Sequence, residues 1–101
     1  MSYRGSWYFA NPAQRKKLLM KSLFTKPYIF TDDNFARRHK VHMHSMEHIK
    51  GCKNRHYLEI GVNEGQSLIW VLENVMTDSS STVTGVDVSW TKNLENNIEL
   101  S

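Results

Sequence analysis

"HYLEIGVNEGQSLIW", His56 to Trp70, is the stretch on which the reading of this chain turns. His56–Ile60 is short and rich in β-formers, and it predicts a short buried strand carrying one carboxylate, Glu59. Gly61 and Gly65 follow. Glycines directly after a strand permit positive φ and let backbone approach a neighbour closely. Gln66–Met76 then carries Leu68, Val71, Leu72, Val75 and Met76 at helical spacing, with Trp70 and Leu72 expected in the core. Thr77–Ser81 is a polar loop. Thr82–Asp87 ("TVTGVD") is a second β-branched run that ends in a carboxylate, and Thr91–Leu100 starts another helix. Strand, helix, strand, helix in that order predicts an α/β fold built on a parallel β-α-β unit.

Upstream, "FTDDNF" (Phe30–Phe35) reads as a turn feeding a helix that runs from Asp32 to Ile49, with Thr31, Asp32 or Asp33 as its cap. Phe35, His39, His42, Met46 and Ile49 fall on one helical face, and Phe35, Met46 and Ile49 are expected to point inward. Gly51 is placed to end that helix. His44 and His48, four residues apart, are the pair that invites a metal ion. No third ligand follows at a usual spacing, so the histidines are read as surface or core-edge residues, His44 facing solvent, and no metal is assigned.

The whole chain has 101 residues, 40% hydrophobic and 23% charged, which fits one small globular domain. Its longest apolar run, Leu68–Leu72, is far too short to span a membrane. The single cysteine, Cys52, excludes an internal disulfide and any cysteine-pair metal site, and favours a reducing compartment. A cytoplasmic location is the expectation. The acid-free first thirty residues, with basic amphipathic Ala13–Phe24, also fit an organelle transit segment, which is the lesser alternative. Charge is unevenly spread: residues 1–56 carry net +9 and residues 57–101 net −6. We therefore divide the chain into a basic arm, residues 1–23, and a domain, residues 24–101.

In open parallel sheets, ligands bind at the carboxyl ends of the strands. Gly61 and Gly65 stand at that end of the first strand and Asp87 at that end of the second, where a carboxylate typically takes a ribose diol. Dinucleotide sites favour G-x-G-x-x-G, which this loop lacks. They also bring two phosphate charges, and Glu59 and Glu64 lie beside that position. Like charges a few ångströms apart cost about 1 kcal/mol in water and several near a protein surface. S-adenosylmethionine has no phosphate and carries a sulfonium and an ammonium, so acidic neighbours favour it.

The run "HYLEIGVNEGQSLIWVLENVMTDSSSTVTGVD" resembles the first motif region of the class I SAM-dependent methyltransferases. It is most similar to the branch that reads "LEIG–x–x–EG–x–S", then "WLLEN", then "T–x–x–D"; "FTDDNF" and "HIKGCKNRHYLEIG" look like that branch too. The resemblance covers roughly residues 24–98. It implies a Rossmann-like fold, S-adenosylmethionine as cofactor, and methyl transfer to an acceptor that the sequence does not identify. It also implies roles. Glu59 would sit near the methionine moiety, directly or through water. Gly61, Val62 and Asn63 would form the loop beneath the cofactor. Gly65 would start the helix close to it, Ser67 would offer a hydroxyl or amide to the methionine carboxylate, and Asp87 would hold the ribose. Trp90 is read either as an adenine cover or as a packing residue.

The family's domain has a seven-stranded, mostly parallel sheet, whereas two strands are read here. The chain is therefore expected to be the N-terminal part of such a domain, a truncated or degenerate copy without acceptor-binding loops, and no catalytic residue is assigned. Binding of S-adenosylmethionine by this chain alone is expected to be weak or absent, and its activity doubtful. The competing reading is a non-catalytic module: a basic, aromatic-bearing first half that binds nucleic acid or other anions, or an interaction fragment whose sheet a partner completes.

Overall fold

A computed structural model describes residues 23–101. The basic arm therefore lies outside the described residues apart from Leu23, and most of the Ala13–Phe24 stretch does too. The described chain is mixed α/β: helix α1 (Asn34–Met46), a 3-10 turn (Glu47–Ile49), strand β1 (His56–Ile60), helix α2 (Gln66–Asn74), strand β2 (Thr82–Val86) and helix α3 (Lys92–Leu100). β1 and β2 pair in parallel, His56 opposite Thr82 and Ile60 opposite Val86. The β-α-β unit expected from the sequence is thus present, with both strands within a residue of their predicted limits.

The core forms on one face of this sheet. Phe24, Phe35, Ile69, Trp70, Val71, Val75 and Met76 make one buried cluster, and Val62, Leu68 and Leu94 make a second. Tyr57 and Val83, the inward residues of the two strands, pack against both. Phe24, Tyr28 and Phe30 interlock ahead of α1, ring centroids 5.0–5.9 Å apart. Phe35 of α1 meets Trp70 of α2 at 5.4 Å. Helix α1 behaves as its pattern requires: Phe35 is buried, His39, His42, Met46 and Ile49 are half-buried on the same side, and His44 is exposed. The N-cap, Asp33, makes no side-chain capping bond. Asp32 Oδ1 instead accepts from the Asn34 amide at 3.1 Å. Thr91 caps α3 by accepting from the Leu94 amide.

Two expectations are corrected. β1 is not a buried strand: its side chains alternate, and Leu58 and Ile60 are 61% and 79% exposed. The helices all lie against the Tyr57/Val83 side, so the opposite face of the sheet, which carries His56, Leu58, Ile60, Thr82, Thr84 and Val86, is uncovered among the described residues. Parallel sheets normally have both faces covered, and this face bears no formally charged side chain. Leu72 is not a core residue either, at 37% exposure. It stands one turn past Leu68, beyond the Leu94 contact that seals Leu68. Ile69, almost wholly enclosed, takes the core position instead.

Gly85 was not singled out by the sequence reading. A Cβ there would lie 2.7 Å from Val62 and 2.9 Å from Leu68. Its bare backbone is what lets the loop and α2 sit directly on β2.

Candidate functional site at the strand ends

Both strands end at one edge of the molecule, and the loop Gly61–Gly65 crosses between them. Gly61 N–H donates to the Val86 carbonyl at 2.8 Å, which extends the ladder one residue beyond β1. The loop then turns through three left-handed residues, Gly61 (φ 83°), Asn63 (φ 53°) and Gly65 (φ 86°). Asparagine and glycine tolerate that region where other residues are strained. Gly65 has a second reason to be small, because a Cβ would stand 3.2 Å from both Ile69 and Leu94. Its compactness therefore serves the junction of α2 with α3. At Gly61, by contrast, nothing lies within 4 Å of where a Cβ would be, so only its φ demands glycine.

Asp87, one residue past β2, accepts from the Asn63 amide at 2.8 Å through Oδ2 and from the Ser89 amide at 3.0 Å through Oδ1. The Ser89 and Asn63 backbone bonds hold its carboxyl below the usual range. The carboxylate is half-buried; the Ser89 hydroxyl also donates to Oδ1 at 3.4 Å and the Val62 backbone adds a further bond, so a diol bound here would compete with these local donors. One carboxylate thus joins the second strand end to the glycine loop and also closes the turn that follows β2.

Glu59 and Ser67 are brought together: the Ser67 hydroxyl donates to Glu59 Oε2 at 2.7 Å and the Tyr57 hydroxyl to Oε1 at 2.8 Å. The Tyr57 phenol is pushed up by burial and by its bond to Glu59, so it remains a donor across the ordinary pH range. The Ser67 hydroxyl is committed here, which leaves its amide, in the first turn of α2, as the group available to an anion. Val62 points its side chain into the core and contributes backbone only. Trp90 does not pack in the core; it is 63% exposed.

The sequence reading missed the role of Glu64 and Gln66. Glu64 is buried and accepts from the Thr31 amide (2.7 Å), the Thr31 hydroxyl (2.9 Å) and Asn93 Nδ2 (2.8 Å). Gln66, also buried, donates to the Asp32 carbonyl at 2.9 Å and accepts from the Ala36 amide at 3.1 Å. Asn97 completes the joint, bonding the Ile29 amide and carbonyl and the Glu64 carbonyl, each at 2.9 Å. Glu64 is therefore first a clamp between segments. An asparagine on the apolar stripe of α3, between Leu94 and Ile98, was the available sign of such a buried polar joint.

Between the clamped segment and the loop lies a cavity of about 140 Å3, lined by Asp32, Asn34, Phe35, Gly61 to Glu64, Gln66 and Ser67. Of the predicted site residues, Gly61, Val62, Asn63 and Ser67 line it. Asp87 borders it through Asn63, Glu59 touches it through Ser67, and Gly65 lies behind it. No group of three or more His, Cys, Asp or Glu side chains able to hold a metal occurs among the described residues, and His44 and His48 are both exposed. No described helix is long and apolar enough to cross a membrane.

These features define an α/β chain with a glycine loop and a carboxylate at the ends of two parallel strands. Comparison with family models, with curated proteins and with solved structures finds no match to it.

Proposed function

We propose that this chain is the cofactor-binding part of a Rossmann-like, SAM-dependent methyltransferase, and that it binds S-adenosylmethionine across the strand ends. The observation that carries the reading is the Asp87–Asn63 bond. It sets a half-buried carboxylate beside a left-handed glycine loop, at the carboxyl ends of parallel strands and on the rim of a polar cavity. A ribose at Asp87 leaves the methionine end of the cofactor to run over Asn63 toward that cavity.

Electrostatics favours this ligand over a dinucleotide. The acids around the rim are Asp32, Glu59 and Asp87, all half-buried, with Glu64 buried behind them. A pyrophosphate would face repulsion of about 1 kcal/mol per close pair in water and more near the protein, while a sulfonium and an ammonium are attracted. Methyl transfer asks of the protein chiefly that it align acceptor and sulfonium. The sulfonium carries its own leaving group, so what residues of this chain do is hold the donor.

Calorimetric titration with S-adenosylmethionine and with NAD tests the proposal. The chain is expected to take S-adenosylmethionine in preference. Asp87→Ala is expected to weaken it about tenfold or more, the loss of one hydrogen bond to a charged group. Preference for NAD, or an Asp87→Ala protein that binds S-adenosylmethionine as well as the parent, would refute it.

A further inference from the structure

The cavity at the strand ends has two walls, and only one of them is the glycine loop. The other is Asp32, Asn34 and Phe35, from the segment that leads into α1. That wall is fixed rather than loosely apposed: Glu64 holds Thr31 through its amide and hydroxyl, and Gln66 holds the backbone on both sides, at the Asp32 carbonyl and the Ala36 amide. Two buried side chains of the loop region thus set the position of Asp32.

The acids near the cavity differ in what they can still accept. Glu64 is engaged by Thr31 and Asn93, and Glu59 by Tyr57 and Ser67. Asp33 is paired with Arg37 at 3.2 Å. Asp32 gives one oxygen, Oδ1, to the Asn34 amide of its own turn. Its other oxygen is the carboxylate acceptor this wall offers a ligand. At about 140 Å3 the cavity is smaller than the roughly 300–1,000 Å3 of complete small-molecule sites. It therefore suits one polar end of a ligand whose remainder lies along the rim toward Asp87.

We infer that the Asp32–Asn34 segment is the specificity wall of the site and that Asp32 recognises the ammonium group of the ligand's amino-acid end. This rests on the S-adenosylmethionine reading above. A carboxylate meeting an ammonium in a polar recess makes a charge-assisted bond, whereas the nucleoside end of the same ligand has no cation to offer there. Asp32 therefore contributes to binding only when the amino-acid arm is present.

The test compares S-adenosylmethionine with 5′-methylthioadenosine, which keeps the nucleoside but lacks the arm and has a neutral thioether in place of the sulfonium; S-adenosylhomocysteine, a neutral thioether that keeps the arm, separates the two charges and is expected to weaken along with S-adenosylmethionine. Binding of all three to the full chain, parent and Asp32→Asn, is followed by amide shifts. Asparagine retains the Oδ1 that closes the Asn34 turn, and an unchanged melting temperature verifies the fold. Asp32→Asn is expected to weaken S-adenosylmethionine about tenfold or more and to leave methylthioadenosine unaffected. Equal weakening of S-adenosylmethionine and methylthioadenosine, or of neither, would overturn the assignment of Asp32 while leaving the cofactor reading standing. A parent chain that binds none of the three would overturn both.

Discussion

Replacing Glu64 by alanine tests whether the loop and the segment before α1 are truly held as one unit. The substitution removes the acceptor for three donors: the Thr31 amide, the Thr31 hydroxyl and Asn93 Nδ2. Each net hydrogen bond contributes about 0.5–1.5 kcal/mol, and a buried donor left bare costs about 1–3 kcal/mol. Thr31 is near the surface and regains water, while Asn93 is half-buried and regains it less well. The loss is then about 2–4 kcal/mol, out of the roughly 5–15 kcal/mol that stabilises an ordinary domain. For a domain of this size it corresponds to a fall in melting temperature of roughly 10–25 °C. Thermal unfolding by circular dichroism gives the number, and a double-mutant cycle with Asn93→Ala isolates the pair, with a coupling of about 0.5–3 kcal/mol expected. A fall of less than about 3 °C, with no coupling to Asn93, would mean that Glu64 is not a clamp.

Three further perturbations separate the parts of the structure. Gly65→Ala and Gly61→Ala both incur the left-handed penalty of about 1–2 kcal/mol. Only Gly65→Ala also crowds Ile69 and Leu94, so it is expected to lower the denaturant midpoint further; equal midpoints would contradict the packing described at α2 and α3. Ile69→Ala is expected to cost about 2–5 kcal/mol and exposed Leu58→Ser less than about 0.5 kcal/mol, read from the same unfolding curves. Comparable losses would show that the outer face of the sheet is not open. The Asp87 carboxyl is held below its usual range by Ser89 and Asn63, so its contribution is present above the unfolded value near 4 and is lost as pH falls through the lower folded value. Amide shifts of Asn63 and Ser89 followed through acid titration should move together with the Asp87 carboxyl; independent titration would deny the link.

The β-α-β unit was legible because short β-rich runs, "HYLEI" and the β-branched "TVTGV", flank helical spacing through Leu68, Val71 and Val75. The glycine loop was legible because few residues other than glycine and asparagine adopt φ near +60° or +80°. Leu72 was misread because α2 is apolar around most of its circumference, so period alone could not rank Ile69 above Leu72. The exposure of Leu58 and Ile60 was hidden because it depends on which layers cover the sheet, and that is a property of topology rather than of five residues. The Glu64–Thr31 and Gln66–Ala36 links span 33 and 30 positions. Local pattern holds no trace of such pairings, so Glu64 was read as a ligand-facing acid when its side chain is spent on joining two segments.

The proposed ligand spans both the glycine loop and Asp87. The most direct measurement is a map of backbone amide shifts on adding S-adenosylmethionine to the full chain, a method that registers even millimolar affinity. Gly61, Asn63, Gly65, Asp87 and Ser89 are expected to shift together along one saturable curve, and NAD at the same concentration is expected to leave them in place. Shifts confined to other surfaces, such as the basic exposed side of α1 at Arg37, Arg38 and Lys40, or an equal response to NAD, would contradict this binding mode.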